Sequence, residues 1–155
     1  MSLDVTRDGG VAVVTINRPE RKNAFSLEMR RNFQTIFQDL SDDVDVRAIV
    51  LTGAGGDFSA GADIGEMGDG GVRGSMMKAR VLGRMIRGVA NTNKPVVAAV
   101  EGVCIGASFG AALACDFIIA AENARFQFAF RNIGLALDAG AGWLLERHVG
   151  VMRAK

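Results

Sequence analysis

The chain has 155 residues, the size of one ordinary domain. Apolar residues make up 49% of it, Gly numbers 20 against two Pro, and the formal net charge is +1. This composition excludes a collagen-like or disordered chain, and it provides no overall field that would attract nucleic acid or an anionic membrane. We therefore predict a globular domain that needs many tight glycine turns.

Strand and helix signals alternate along the chain, which predicts an α/β architecture of parallel strands joined by crossover helices. The turn Asp8-Gly9-Gly10 between two short apolar runs predicts an opening β-hairpin. Ser26 predicts the N-cap of a first helix, and a basic amphipathic helix follows a loop at 53–74 that holds nine glycines. The predicted strands are 3–7, 11–16, 48–51, 96–100, 116–120 and 124–128, and a further helix begins at Trp143.

Two further patterns concern the helices. Glycines recur every four residues at Gly102, Gly106 and Gly110, which predicts a helix that approaches a neighbouring element closely. The basic helix carries three arginines on one face, which predicts either a solvated surface or a contact with an anionic ligand. These arginines are Arg80, Arg84 and Arg87.

Histidine and cysteine are too few for several kinds of site. His148 is the only histidine, and Cys104 and Cys115 lack a CxxC spacing, so we expect no metal centre and no disulfide framework. We expect buried thiols and no redox cofactor. The longest uncharged apolar stretch, 103–115, is too short for a membrane helix, and early charged residues argue against a signal peptide. These features together predict a cytoplasmic protein.

The segment Gly106-Ala107-Ser108-Phe109-Gly110 fits the G-x-S-x-G pattern of a serine nucleophile placed between a strand and a helix. Asp138 and His148 follow in the order of an α/β-hydrolase. Only ten residues separate them, however, and no His-Gly-Gly-type oxyanion loop precedes Ser108. A Ser108 hydrolase is therefore a minor alternative.

Two glycine-flanked turns, at 58–64 and 100–107, follow buried strands. Their side chains are small, so their backbone N–H groups are accessible. Two such groups pointing to one place can hold an oxyanion, and each contributes about 3 kcal/mol to the transition state. The turns predict an oxyanion hole, although tight turns after strands are common.

Four segments resemble, in order, the motifs of the crotonase (enoyl-CoA hydratase/isomerase) superfamily. The first is Ile16-Asn17-Arg18-Pro19 with Asn23-Ala24-Phe25, and the second is Phe58-Ser59-Ala60-Gly61-Ala62-Asp63-Ile64. The third runs through 94–106 with Cys115-Asp116, and the fourth through 133–140 with Val149-Gly150. The resemblance implies a crotonase-like spiral of repeated ββα units that binds an acyl-CoA thioester.

The resemblance also implies a mechanism. The thioester carbonyl would lie between the N–H groups of Ala62 and Ala107, which would stabilise an enolate-like intermediate. Hydratases of the superfamily use two glutamates, which align here with Gly110 and with Phe130 or a near neighbour. Neither residue can act as an acid or base.

Asp138 is the remaining acidic candidate. Its segment is similar to the one that carries an aspartate in crotonase-family isomerases and in an aryl-CoA dehalogenase. One carboxylate suffices for a proton shuttle, and apolar neighbours are expected to raise its pKa. We expect enoyl-CoA double-bond isomerisation with Asp138 as acid/base. Its structural alternative is the N-cap of the following helix, and Glu66 is a weaker acid candidate.

Other functions stay open: a 2-enoyl-CoA hydratase using another acid, the Ser108 hydrolase, and a catalytically silent CoA-binding subunit. CoA would enter only as part of the substrate. Family positions that line it match Ala24, Ala60, Ala62, Asp63 and Ile64. Arg21 or Lys22 would meet its phosphates or form a solvated turn, and the loop at 65–74, with Met67, Met76 and Met77 nearby, would cover the acyl chain.

Members of the superfamily continue past this length with helices that cover the active site and build a trimer. The resemblance therefore implies that 1–155 is a crotonase-type core that stops before the C-terminal helical trimerisation region. A homotrimer or a hexamer is expected where that region is present.

Overall fold

The structure, a computed structural model, describes residues 3–68 and 70–155. Its strands are β1 Leu3–Asp8, β2 Val11–Ile16, β3 Ala48–Gly53, β4 Val96–Val100, β5 Val103–Ile105, β6 Phe117–Ala120 and β7 Arg125–Gln127. Its helices are α1 Leu27–Asp42, α2 Gly71–Ala90, α3 Ala107–Leu113, α4 Ala141–Val149 and α5 Val151–Ala154, with 3₁₀ turns at Pro19–Arg21, Ile64–Glu66 and Phe130–Ile133. The predicted alternation of strands and helices is confirmed.

One sheet holds five strands in the order β1-β2-β3-β4-β6. The opening hairpin pairs β1 and β2 antiparallel, and every later pair in this sheet is parallel. Parallel neighbours need a crossover connection, and the intervening helices provide it. The predicted hairpin and parallel sheet are therefore both confirmed.

A second, shorter ladder runs beside the sheet. It consists of the parallel bridges Phe25–Ala62 and Ser59–Cys104 and the parallel pair β5–β7. Successive repeats thus give one strand to the five-stranded sheet, one segment to the ladder, and then a helix. This arrangement places the turns that follow the ladder segments side by side.

Helix α1 closes one side of the core. Its N-cap is Ser26, whose Oγ accepts a hydrogen bond from the Met29 N–H at 3.1 Å, as predicted. The buried ring of Phe33 packs edge-on against Phe25 at 5.6 Å and stacks on Phe37 at 5.5 Å. Such aromatic contacts add to the free energy gained by burying the rings.

The predicted helix through three regularly spaced glycines is wrong. Gly102 lies before β5 with φ +54°, and a Cβ there would overlap the Gly56 carbonyl oxygen. Gly106 is the N-cap of α3, so only Gly110 is helical. The four-residue spacing arises from two separate turns.

Helix α2 begins at Gly71, so the predicted loop at 53–74 ends earlier than expected. Met76 and Met77 consequently lie on the helix, where both are exposed, and Asp69 of the predicted cover lies outside the described residues. Arg80, Arg84 and Arg87 of α2 are exposed on the face opposite its buried apolar residues, as the pattern predicted. Their contact with an anionic ligand stays a prediction.

The long apolar stretch at 103–115 is divided between β5 and α3. Within the described ranges, no helix has the length and apolar character needed to cross a membrane. Both thiols in this stretch are buried, as predicted, and burial raises the pKa of Cys104 to about 12.

Candidate active site

The two predicted oxyanion turns lie side by side because of the register of the second ladder. Ser59 pairs with Cys104. Ala62 lies three residues after Ser59, and Ala107 lies three residues after Cys104. Gly61 has φ +90°, and a Cβ on it would lie 3.2 Å from the Ala107 nitrogen. In the described part of the chain, the N–H groups of Ala62 and Ala107 donate to no protein acceptor.

Two buried serines hold these turns together. The Ser59 Oγ accepts a hydrogen bond from the Gly61 N–H at 3.0 Å. The Ser108 Oγ accepts one from the Ile105 N–H at 2.8 Å and donates to the Ser59 carbonyl at 2.6 Å. Their hydroxyl groups therefore support the backbone of the site.

The Ser108 hydrolase receives no support from this geometry. Ser108 is fully buried, and its hydroxyl is engaged with backbone groups. His148, the base that such a hydrolase would need, lies with its Nε2 2.9 Å from the Leu113 carbonyl oxygen. A nucleophile needs a base within hydrogen-bond reach, and among the described residues no His, Asp, Glu or Lys side chain is hydrogen-bonded to Ser108.

The predicted oxyanion turns open into a cavity of about 280 Å³. Ala62 and Ala107 lie on its wall together with Ala60, Ile64 and Asp138. A second cavity of about 330 Å³ adjoins it, and the two share part of their lining. The shared residues are Ala62, Met67, Leu82, Leu135 and Asp138.

Asp138 lies in the segment between the last 3₁₀ turn and α4. Desolvation by the cavity walls raises its pKa above the ordinary value, and the positive charge of Arg30 partly offsets this. The N-cap of α4 is Gly140, without a side-chain cap. The predicted alternative role of Asp138 as that N-cap is therefore wrong.

The two positions expected to align with the hydratase glutamates, Gly110 and Phe130, have no acidic side chain, and Gly110 has no room for one. A Cβ on Gly110 would lie 2.5 Å from the Ala139 carbonyl oxygen and 2.8 Å from the Ala139 Cβ. Phe130 is buried and lines the first cavity. Helix α3 thus packs directly against the segment that carries Asp138.

Arg30 is a site residue that the sequence reasoning missed. It is 5% exposed, and its Nη2 lies 3.0 Å from Glu66 Oε2 on the wall of the second cavity. Glu66 also accepts a hydrogen bond from the Leu27 N–H at 2.6 Å. A charged residue three positions before buried Phe33, on the apolar face of α1, was the available signal.

Asp63 is held by Arg18, and its predicted contact with CoA stays a prediction. The Arg18 Nη1 lies 2.7 Å from Asp63 Oδ2 and 3.2 Å from the Ala24 carbonyl oxygen. This Arg18 hydrogen bond is the main reason that the pKa of Asp63 lies below its ordinary value. Arg21 and Lys22 are exposed on a neighbouring turn, outside both cavities.

The turn before α1 depends on Asn23, which is fully buried. Its side chain donates to the carbonyl oxygens of Ala54 at 2.7 Å and Asp57 at 2.6 Å, and accepts from the Arg18 N–H at 2.8 Å. Its φ of +56° is one that asparagine tolerates well among residues other than glycine. Asn23 thus joins the first repeat to the second.

The described residues form a spiral of ββα repeats in which Ala62, Ala107 and Asp138 border one cavity. Residues 6–155 match the family model described as enoyl-CoA hydratase/isomerase, and the chain belongs to this family. The predicted crotonase fold is confirmed: an enoyl-CoA hydratase structure from Bacillus anthracis matches with a TM-score of 0.96 at 30% identity, covering 100% of this chain and 61% of that one.

Curated relatives have different names. A probable enoyl-CoA hydratase of Mycobacterium tuberculosis (strain H37Rv) is 40% identical over 151 residues, which are 96% of this chain and 58% of the relative. The 1,2-epoxyphenylacetyl-CoA isomerase of Escherichia coli K12 is 39% identical over 153 residues, 94% of this chain and 57% of the relative. The chain thus spans somewhat more than half the length of these relatives.

Proposed function

We propose that the chain is the core of an enoyl-CoA double-bond isomerase, with Asp138 as the acid/base and the amides of Ala62 and Ala107 as the oxyanion hole. The observation that carries this proposal is the cavity that contains all three groups. Among the described residues that line this cavity, Asp138 is the only acidic one.

The proposed reaction needs a single proton shuttle. The Asp138 carboxylate removes a proton from C2 of a 3-enoyl thioester, and the electron pair moves through the carbonyl to its oxygen. Donation from Ala62 and Ala107 stabilises the resulting dienolate. The carboxylic acid then returns the proton to C4, the double bond forms between C2 and C3, and the carbonyl is restored.

The raised pKa of Asp138 suits this role. A carboxylate in a partly apolar site is a stronger base than one in water, and its acid form is available to return the proton. Arg30 keeps a positive charge nearby, which favours the ionised form that begins the reaction.

The test is the conversion of a 3-enoyl-CoA to the conjugated 2-enoyl-CoA, followed by absorbance. We expect Asp138→Asn to lower kcat by about 10²–10⁴-fold because the amide can neither take nor return the proton. The matched control is Asp39→Asn on the exposed side of α1, which should keep the rate of the unaltered chain. Full activity in Asp138→Asn would show that the base is another group.

A hydratase is the second candidate, because relatives carry that name. It needs a second acid or base, and Glu66 is already engaged by Arg30 and the Leu27 N–H. Formation of 3-hydroxyacyl-CoA from a 2-enoyl-CoA would favour this candidate. Binding of acyl-CoA without any turnover would favour the silent CoA-binding subunit.

For CoA itself, we propose that Ala60 and Ile64 contact the thioester end, since both line the first cavity. Exposed Arg21 and Lys22 are proposed to meet the phosphates. The trimer or hexamer stays a prediction that depends on the C-terminal helices of the relatives.

A further inference from the structure

The second cavity differs in character from the first. Beyond the shared apolar wall, it reaches Arg30, Glu66, Ser75 and Lys78, contributed by α1, the turn after the second ladder segment, and α2. An acyl group held by the proposed oxyanion amides would pass Asp138 and continue toward these polar residues. The far end of the acyl group therefore meets a different chemistry from its middle.

Part of the Arg30 guanidinium group is not hydrogen-bonded to the described protein atoms. Its Nε donates to the Ser26 carbonyl at 3.2 Å, and its Nη2 donates to Glu66. Its Nη1 has no protein acceptor in the described chain. No fully buried side-chain nitrogen among the described residues lacks a partner, so Nη1 is at least partly accessible, and Arg30 lines the second cavity. An oxygen atom in the cavity would satisfy it.

Charge indicates which kind of oxygen would fit. Lys78 and Asp138 also line this cavity, so together with the Arg30–Glu66 pair its four charged side chains sum to no net charge. A carboxylate on the ligand would add an unbalanced negative charge beside two carboxyl groups, at a desolvation cost that an arginine already paired does not offset. A neutral acceptor, such as a ketone, ether or hydroxyl oxygen, would gain the hydrogen bond without this cost.

We propose that Arg30 is a specificity residue that selects acyl-CoA substrates carrying a neutral oxygen acceptor on the part of the acyl group remote from the thioester. The inference rests on the proposed function only in requiring that acyl-CoA binds with its carbonyl at the two amides. It does not depend on which reaction follows.

The experiment measures equilibrium binding without turnover, by calorimetry on the whole chain. The ligands are 5-, 6- and 7-oxooctanoyl-CoA, each paired with the same chain bearing a C=CH₂ group in place of the ketone. We expect at least one ketone to bind about tenfold more tightly than its hydrocarbon partner, as for a hydrogen bond to a charged donor.

Two variants assign the preference to Arg30. Arg30→Lys keeps a charge beside Glu66 but removes the Nη1 donors, and the double variant Arg30→Met with Glu66→Gln removes the ion pair without leaving an unpaired carboxylate. Both should bind ketone and hydrocarbon ligands equally. Arg31→Met, at the exposed neighbouring position on α1, should keep the preference. Circular dichroism shows which variants are folded. Either Arg30→Lys or the double variant, if folded, is sufficient to test the role of Arg30.

Each outcome is decisive. Equal binding by the unaltered chain, or a preference that persists in a folded Arg30 variant, would overturn the inference and leave the proposed function intact. Tighter binding of octanedioyl-CoA than of every ketone would also overturn it, since a carboxylate would then be preferred. Failure to bind any acyl-CoA would refute the proposed function and this inference together.

Discussion

Gly61 determines how closely the two oxyanion turns approach each other. A methyl group there would overlap the Ile105 carbonyl oxygen and press on the Ala107 nitrogen. We expect Gly61→Ala to separate the two amides and to lower kcat by about 10²–10³-fold, the usual effect of losing one oxyanion donor. The measurement is isomerase turnover at a temperature where the variant remains folded.

Gly56→Ala is the control for Gly61→Ala, because it introduces the same backbone strain without a steric overlap with neighbouring atoms. Gly56 has a similar φ of +82°, and a Cβ on it meets nothing within 4 Å. Gly56→Ala should therefore cost about 1–2 kcal/mol of stability from the left-handed conformation alone and keep its kcat. Equal loss of kcat in both variants would contradict the role given to Gly61.

The raised pKa of Asp138 makes activity and stability respond to pH in opposite directions. Its base form is lost on acidification, so the acid limb of kcat/KM should lie above the ordinary aspartate pKa of 3.8. In the unaltered chain the Arg30 charge lowers the pKa of Asp138, so Arg30→Met should raise this pKa and move the acid limb to higher pH. Arg30→Lys keeps a positive charge and should move the limb less.

The raised pKa of Asp138 also means that ionising this residue destabilises the folded chain relative to the unfolded chain. The contribution that Asp138 makes when protonated is lost as pH rises through its folded pKa. Asp138→Asn should therefore gain stability relative to the unaltered chain between pH 3 and pH 7, as measured by urea unfolding. A difference in unfolding free energy between the two chains that stays constant across that pH range would contradict a raised pKa of Asp138.

At the scale of elements, the packing of α3 against the 138–140 segment positions the carboxylate. Gly110→Ala would force a methyl group into Ala139, so we expect a loss of about 1–3 kcal/mol and reduced turnover. Gly142→Ala on α4, where a Cβ meets nothing within 4 Å, should instead stabilise by about 0.5–1 kcal/mol. Urea unfolding measures both, and unaltered stability of Gly110→Ala would show that α3 can move.

Local patterns predicted most of the elements and failed where distant chain segments meet. The cap at Ser26 and the hairpin turn before β2 depend on neighbours in sequence, and both were predicted. Gly102 was placed in a helix because its spacing suggested one, but contact with Gly56 determines its conformation. Arg30 was missed because its partner Glu66 lies 36 residues away.

For the whole molecule, the two thiols report on global unfolding. Cys104 on β5 and Cys115 just after α3 are both buried, and burial raises the pKa of both. A thiol reagent at pH 8 should therefore label neither in the native chain and both in denaturant, with labelling that follows the loss of circular dichroism. Rapid labelling under native conditions would show that α3 opens locally.

Ala62 and Ala107, the proposed oxyanion pair, occupy the same offset in two successive repeats, three residues beyond Ser59 and beyond Cys104. Its geometry therefore derives from the spacing of parallel strands, about 4.8 Å, and from turns that the hydroxyl groups of Ser59 and Ser108 hold in place. Substitutions that keep a small side chain at positions 62 and 107 should therefore have little effect on turnover. The segment with Asp138 comes from a later repeat, so the proposed acid/base can be exchanged in evolution without any change to the backbone proposed to bind the carbonyl.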